Sequence, residues 1–382
     1  MFKLLKNGIC YSPKFLGKKD ILVVQNKIYK IQESIDEKML FDTEVIDCSN
    51  KIVCPGFIDQ HVHIMGGGGE DGPQSRIPEL MMGEIITSGV TTLVGVLGFD
   101  SITRNIAGLL AKARALEADG INTYIYTGSY GVPTATLMGK VMDDITLIDK
   151  VIGVGEIAIS DHRSSHPTLE MLRDISYEAR VGGLLSKKAG IVHVHVGDGR
   201  KGLEPLVQLV ENSDFPLEMY VPTHLNRNRF VFDQAIEYAK KGGYIDFTAG
   251  QTADMGYTVP DAIKKVLDAG IQIDKVTVSS DANGSIPSDG NDPKVGKVSQ
   301  LFNDIINTIV SKNLDIETVL KTVTLNVAKV LKLYPRKGAL EEGSDADILI
   351  LEKDSFKVLD VLINGEFFVQ NSIAIKKGLY EV

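Results

Sequence analysis

Residues 56–63 read Gly56-Phe57-Ile58-Asp59-Gln60-His61-Val62-His63, an apolar run that ends in two imidazoles one residue apart. In a β-strand, residues i and i+2 point to the same face, so His61 and His63 can reach one metal ion together. Divalent metals such as zinc favour neutral imidazole. The alternative is a pair of solvated or hydrogen-bonded core histidines. The metal interpretation is favoured because His195, His224 and Asp281 each stand at the downstream end of a separate apolar run.

Composition places the chain among ordinary globular proteins. It has 382 residues, of which 43% are hydrophobic and 24% charged. A net charge of −9 argues against nucleic acid or an anionic membrane as the main partner. No apolar run approaches the ~20 residues that span a bilayer, and residues 1–11 lack the apolar core of a signal peptide. We therefore expect a cytoplasmic protein with reduced, structural thiols at Cys10, Cys48 and Cys54.

The middle of the chain alternates short apolar runs with amphipathic stretches. Eight runs predict strands: 56–61, 92–97, 122–126, 151–159, 191–196, 218–222, 244–247 and 275–279. Five intervening stretches predict helices: 106–118, 168–179, 202–211, 230–241 and 261–269.

This alternation indicates a parallel TIM (β/α)₈ barrel of the α/β class, with a doubly wound sheet as the main competitor. Candidate ligands follow the first, fourth, fifth, sixth and eighth strands. Only a closed ring brings so many strand ends around one point, so the barrel is favoured.

The two ends of the chain have a different pattern from its middle. Residues 1–55 and 339–382 contain short alternating strands with turns. We expect them to form one small β-sandwich domain from both termini, beside a catalytic barrel of residues 56–338.

Four motifs carry a resemblance to a known family. They are 59–63 with the glycines and glutamate of 66–70, Ile159-Ser160-Asp161-His162-Arg163-Ser164, residues 222–228 around His224, and residues 279–285 around Asp281. Together they closely resemble the isoaspartyl (β-aspartyl) dipeptidases of the binuclear amidohydrolase superfamily. The resemblance covers essentially the whole chain.

The resemblance implies two zinc ions per chain, bridged by a carboxylate and a hydroxide. It assigns His61, His63 and Asp281 to the more buried ion, and His195 and His224 to the more exposed one. The chain departs from the family at the bridge, where an N-carboxylated lysine usually stands and this sequence has Glu156. An unpaired carboxylate inside an apolar strand costs several kcal/mol, and two cations are its natural partners. The alternative is a Glu156 paired with a Lys or Arg.

The implied activity is hydrolysis of the amide bond of β-aspartyl dipeptides by the metal-bridging hydroxide. Asp281 would carry the proton to the leaving amine. Tyr130 matches the hydroxyl that steadies the oxyanion, although a tyrosine after a strand also serves packing.

Charged residues match the family's substrate pocket. Arg163, Arg227 and Ser285 match positions that receive substrate carboxylate, and Glu70 matches the position that receives the ammonium. The alternative for each arginine is a surface or structural ion pair. Phe99 stands where the family has a small hydroxyl residue near that ammonium.

Other interpretations remain open at this point. A dihydroorotase, hydantoinase or D-aminoacylase type of amidohydrolase shares the fold, and a metal-free relative would have kept the barrel and lost catalysis. The expected partners are a small-molecule dipeptide and further copies of the chain, with neither nucleic acid nor membrane. His193 shares a strand face with His195 and could compete with it as a ligand, but the resemblance supports only His195. His162 and His166 are expected beside the site or at the surface, and the role of Asp161 is left open.

Overall fold

The N-terminal segment folds into five strands. The computed structural model describes residues 2–286 and 294–381. Strands β1 to β3 are antiparallel neighbours, whereas β4 and β5 pair with β1 in parallel. Their bounds are β1 Phe2–Tyr11, β2 Phe15–Val24, β3 Lys27–Gln32, β4 Thr43–Asp47 and β5 Lys51–Pro55.

Eight further strands form the barrel. All their residues except Asn122 and Tyr124 are buried, as expected for parallel strands covered on both faces. Parallel ladders join β6 to β11 in sequence order and β12 to β13. The strands are β6 Phe57–Val62, β7 Val90–Gly95, β8 Asn122–Thr127, β9 Val151–Ile159, β10 Ile191–Val196, β11 Tyr220–Thr223, β12 Ile245–Thr248 and β13 Val276–Ser279.

Two backbone contacts close the ring between these ladders. The Leu225 N–H donates to the Asp246 carbonyl at 3.2 Å and joins β11 to β12. The His63 N–H donates to the Ala282 carbonyl at 2.9 Å and joins the ends of β6 and β13. The carboxyl ends of all eight strands therefore face one common mouth.

Helices surround the barrel. Side-chain caps at Asn105, Thr168, Asn228, Thr258 and Asp315 start five of them by accepting from the free N–H groups of the first turn. The helices are α1 Met82–Ile86, α2 Ile106–Ala118, α3 Val141–Leu147, α4 Leu169–Ser186, α5 Glu204–Glu211, α6 Arg229–Lys240, α7 Val259–Asp268, α8 Val298–Lys312, α9 Ile316–Lys321 and α10 Leu325–Val330.

Strands from both termini share one sheet. Along the chain, the barrel strands are followed by a short antiparallel pair, β14 Ser285–Ile286 and β15 Lys294–Val295, and then by the last helices. The C-terminal strands are β16 Ile348–Glu352, β17 Val358–Ile363, β18 Glu366–Gln370 and β19 Ile373–Ala374. Because β16 pairs with β5, the sheet has nine strands in the order β19-β18-β17-β16-β5-β1-β2-β3, with β4 on β1.

The predicted fold class is confirmed. The eight predicted strand runs all correspond to barrel strands, and no bound differs by more than two residues. Strands of both termini enclose a separate apolar core that includes Leu5, Ile21, Ile348 and Leu362. The domain boundaries at 55/56 and 338/339 stay a prediction. Within 2–286 and 294–381, no helix is long and apolar enough to cross a membrane.

The three cysteines are unpaired and buried. Burial raises the pKa of Cys10 and of Cys48 to about 12, which keeps both thiols protonated and unreactive at neutral pH.

A buried lysine ties the terminal sheet to the segment after the barrel. Lys337 Nζ lies 2.6 Å from Asp347 Oδ2 and 2.9 Å from Asp345 Oδ2. Asp347 also accepts from the barrel side chain Asn122 at 3.1 Å and from the Asn364 N–H at 2.8 Å. Burial lowers the pKa of Lys337, but the two carboxylates outweigh burial and raise it above its usual value. Lys337 is therefore charged in the folded protein.

We expect Lys337→Met to lower the free energy of unfolding by about 3–5 kcal/mol, because it leaves the buried Asp347 without its cation, whereas Asp345 keeps Lys27. Because the folded pKa of Lys337 is raised, its contribution is complete below the pKa of an unfolded lysine. It is lost as pH rises through the folded value. Urea unfolding at pH 7 measures the effect, with the exposed Lys240→Met as the control. A loss below about 1 kcal/mol would contradict this role.

Candidate metal and active site

The six predicted ligands lie together at the carboxyl end of the barrel. His61 lies in β6, Glu156 in β9 and His195 in β10. His63, His224 and Asp281 follow the ends of β6, β11 and β13 by one or two residues. His224 (φ 66°) and Asp281 (φ 51°) adopt the left-handed backbone region, which turns each side chain back over the barrel mouth.

Glu156 is the centre of this cluster. Its Oε2 lies 3.2 Å from His61 Nε2, 3.3 Å from His195 Nδ1 and 3.4 Å from His224 Nε2. Its Oε1 lies 3.5 Å from His63 Nε2. Four imidazoles from the ends of three strands, β6, β10 and β11, thus converge on one carboxylate.

Asp281 adds a second carboxylate. Its Oδ1 lies 3.2 Å from His63 Nε2 and 3.4 Å from His61 Nε2. Its Oδ2 lies 3.6 Å from Arg227 Nη2. Asp281 therefore stands between the histidine cluster and the nearest arginine.

The residues fit two metal ions. Donor atoms of His61, His63 and Glu156 lie within 4.8 Å of one another, as do those of Glu156, His195 and His224. Glu156 Oε1 and His61 Nε2 are buried and have no hydrogen-bond partner in the described structure. Across the described residues, the ion pairs of Glu156 are with histidines, so the alternative of a Lys or Arg partner is not found. Ions shared at Glu156 would give these atoms partners.

The electrostatics of two of the ligands, Glu156 and His224, favour the protonation states that bind metals. Burial opposes ionisation of Glu156, but the surrounding histidines, His61 foremost, hold its pKa well below the usual range. Burial, and then the charge of Arg227, lowers the pKa of His224 well below its usual value. An ionised carboxylate and a neutral imidazole are the forms that bind divalent metals.

Two groups that the sequence analysis did not assign to the site contact the Nδ1 atoms of ligand histidines, on the side of each ring away from Glu156. His193 Nε2 lies 2.9 Å from His61 Nδ1, and Thr248 Oγ1 lies 2.8 Å from His224 Nδ1. His193 points beneath the cluster and stacks on Tyr126 rather than joining the ligands. The HxH spacing at 193–195 was the available signal for His193, whereas nothing in the sequence marks Thr248.

Asp161 contacts two predicted site residues at once. Its Oδ2 accepts from His195 Nε2 and from Arg163 Nη2, both at 3.0 Å. Its Oδ1 accepts from the Arg163 N–H at 2.8 Å and from Nε at 3.0 Å. Its neighbours in sequence, His162 and His166, are exposed, as expected for surface groups.

Tyr130 completes the wall beside His195. Its hydroxyl lies 2.8 Å from His195 Nδ1, and its ring lies 5.3 Å from the Arg163 guanidinium. Burial raises the pKa of Tyr130 well above its usual value, so the hydroxyl keeps its proton at neutral pH. Tyr130 is therefore placed to donate a hydrogen bond rather than only to pack.

A pocket that is open to solvent lies above the cluster. The predicted substrate residues line it together with Phe99 and the glycine loop. Glu70 Oε1 accepts from Arg163 Nη1 at 3.1 Å and from Ser285 Oγ at 2.7 Å. A Cβ at Gly67 would stand 2.9 Å from the Asn283 carbonyl, so this loop can approach the site only without a side chain.

Comparison with known proteins gives the family. A sequence profile of the amidohydrolase family matches residues 52–368, so the chain belongs to this family of hydrolases, which carry a binuclear metal centre.

The structure of a beta-aspartyl dipeptidase from Fervidobacterium islandicum AW-1, in complex with a beta-Asp-Leu dipeptide, is 45% identical. It covers 98% of each chain with a TM-score of 0.92. This confirms the resemblance predicted from the motifs. A D-hydantoinase from Thermus sp. is 17% identical over 99% of this chain and 97% of that one, with a TM-score of 0.72, and shares the fold. The dihydroorotase of Aquifex aeolicus is 38% identical over 99 residues, which are 25% of this chain and 22% of that protein.

We expect metal-free protein to take up about two Zn²⁺ per chain in bicarbonate-free buffer, because Glu156 carries its carboxylate permanently. A carboxylated lysine would instead require carbon dioxide. Glu156→Ala should lose the second equivalent, since two cations would then face each other unscreened. Elemental analysis after desalting measures the stoichiometry, with the exposed Glu170→Ala as the control. Bicarbonate-dependent uptake, or two ions in Glu156→Ala, would show that the bridge lies elsewhere.

Proposed function

We propose that this chain is a zinc-dependent hydrolase that cleaves the amide bond of β-aspartyl dipeptides. The observation that carries the proposal is a pocket that sets Glu70 against Arg163 and Arg227 directly above the histidine cluster. A β-aspartyl dipeptide has one ammonium and two carboxylates, so it needs fixed charges of both signs. The similarity to a dipeptidase that binds beta-Asp-Leu over 98% of both chains supports the same substrate class.

Zinc is the proposed metal because four imidazoles and two carboxylates form the donor set, His61, His63, Glu156, His195, His224 and Asp281. When bound at this cluster, a pair of zinc ions would lower the pKa of a shared water and polarise the scissile carbonyl.

Asp281 is the proposed proton carrier. It lines the pocket and lies at the boundary between the histidine cluster and Arg227. From this position it can accept the proton of the attacking water and deliver it to the nitrogen of the leaving amino acid.

Tyr130 is the proposed donor to the oxygen of the scissile carbonyl as negative charge develops on it. Its protonated hydroxyl reaches the edge of the cluster at His195 and lies in the pocket wall. A hydroxyl fixed by a buried ring needs no reorganisation when the charge appears.

Arg227 is the proposed main clamp for a substrate carboxylate. Its side chain is largely buried, and its Nε has no hydrogen-bond partner in the described structure. Arg163 and Ser285 would assist, and Glu70 would receive the ammonium in place of Arg163. Phe99 adds an aromatic wall to the pocket in which we place this ammonium. A cytoplasmic location and a homo-oligomeric state stay predictions.

The test of this function is hydrolysis of β-Asp-Leu compared with hydrolysis of dihydroorotate by the same zinc-loaded sample. We expect release of leucine from the dipeptide and little turnover of the cyclic amide, because only the dipeptide pairs with Glu70 as well as the arginines. The dihydroorotase that matches over 99 residues makes dihydroorotate the appropriate competitor. Preferred turnover of dihydroorotate, or full activity after complete removal of zinc, would overturn the proposal.

Arg227→Met should cost about 2–4 kcal/mol of transition-state binding, because it leaves a substrate carboxylate without its charge-assisted hydrogen bonds. Zinc content should not change. The measurement is kcat/KM on β-Asp-Leu, with Arg229→Met as the control, since Arg229 is exposed and lies outside the pocket lining. A drop of less than about fivefold would mean that Arg227 is not the clamp.

A further inference from the structure

We infer that Asp161 is a positioning residue that fixes the metal-facing nitrogen of His195 and the pocket-facing edge of Arg163 with one carboxylate. Its role in catalysis rests on the proposed function, whereas its role in metal binding does not.

The first step concerns the tautomer of His195. A neutral imidazole carries one N–H, and an ionised carboxylate can only accept a hydrogen bond. Because His195 Nε2 lies 3.0 Å from Asp161 Oδ2, the proton belongs on Nε2. The lone pair of Nδ1 then faces the Tyr130 hydroxyl at 2.8 Å and Glu156 Oε2 at 3.3 Å, on the side where His224 also points. Asp161 thus selects the ligating nitrogen.

The second step concerns the orientation of Arg163. Asp161 takes the Nε–Nη2 edge of the guanidinium with two oxygens, and also takes the Arg163 backbone N–H. Nη1 donates to Glu70 at the pocket. Arg163 can therefore meet a substrate carboxylate only through the end of the guanidinium that Asp161 leaves open, formed by Nη1 and the second N–H of Nη2, while Arg227 has an uncommitted Nε.

The third step concerns the space made for Asp161. The residue is 6% exposed and stands against Gly197, where a Cβ would lie 2.5 Å from the Asp161 Cβ. Gly199 is equally close to Ser160, since a Cβ there would lie 2.5 Å from the Ser160 carbonyl oxygen. The two glycines therefore let the backbone of the loop after β10 pass close to Asp161. This close packing confines the carboxylate to one place between His195 and Arg163.

The test is a titration of metal-free protein with Zn²⁺ against a chromophoric chelator. Asp161→Asn has nearly the same shape, but its amide NH₂ cannot accept from His195 or Arg163. We expect its first equivalent of zinc to bind as in the wild type and its second to bind about 10–100-fold more weakly. Asp198→Asn is the matched control, because this exposed aspartate of the adjacent loop accepts only from the Asn228 amide in the described contacts.

Arg163→Met separates the two functions of Asp161. It should bind both zinc ions with wild-type affinity, because the Asp161 carboxylate still accepts from His195. Its KM for β-Asp-Leu should rise, because a substrate carboxylate loses one of its partners. Wild-type affinity for both ions in Asp161→Asn would overturn the inference. So would loss of the cooperative thermal transition of the metal-free variant, since Asp161 would then hold the fold. A wild type that binds two zinc ions but does not cleave β-Asp-Leu would overturn the proposed function and leave the zinc titration to decide on Asp161.

Discussion

The site depends on one constraint, the burial of the Glu156 carboxylate inside a barrel strand. An ionised carboxylate out of water costs several kcal/mol unless positive charge or hydrogen-bond donors surround it. Here four imidazoles surround Glu156, and its Oε1 has no donor among the described residues. The arrangement is unfavourable for a carboxylate alone and favourable for one shared between cations. The sequence accordingly places histidines at or near the ends of three barrel strands, β6, β10 and β11.

A second buried carboxylate in the same barrel shows the contrast. Asp246 accepts four hydrogen bonds, from Gln60 and Thr277 at Oδ1 and from Thr223 and Ser279 at Oδ2, all between 2.6 and 2.7 Å. Hydroxyl and amide groups thus satisfy every acceptor position of this group, which needs no further partner. Glu156 differs because imidazole nitrogens at 3.2 to 3.5 Å surround it instead. Donor chemistry therefore distinguishes a structural carboxylate from a metal-binding one within one fold.

Much of the fold could be predicted because the spacing of apolar residues within each segment, and the alternation of strand and helix segments along the chain, can be seen in the sequence. The run 151–159 and the helix over 106–118 were placed at their observed bounds. Helix α8 was missed, since Lys297 precedes it and no side chain caps its first turn. Five of the six ligands could be found because they lie at or near a strand end, whereas Glu156, inside β9, was found through the family resemblance. The double contact of Asp161 could not, because it depends on how the ends of β9 and β10 meet in space.

The pairing of charges within the pocket bears on substrate discrimination. Glu70 and Arg163 are each about three-quarters buried and lie 3.1 Å apart. Separating them leaves Glu70 with only the Ser285 hydroxyl among its described partners, whereas Arg163 keeps Asp161. A ligand with both an ammonium and a carboxylate supplies a new partner to each group. A ligand with a carboxylate alone would pair Arg163 and leave Glu70 uncompensated beside it. The specificity of such a pocket therefore comes less from attraction to carboxylate than from the cost of an unpaired Glu70, which a zwitterionic dipeptide avoids and an anionic cyclic amide does not.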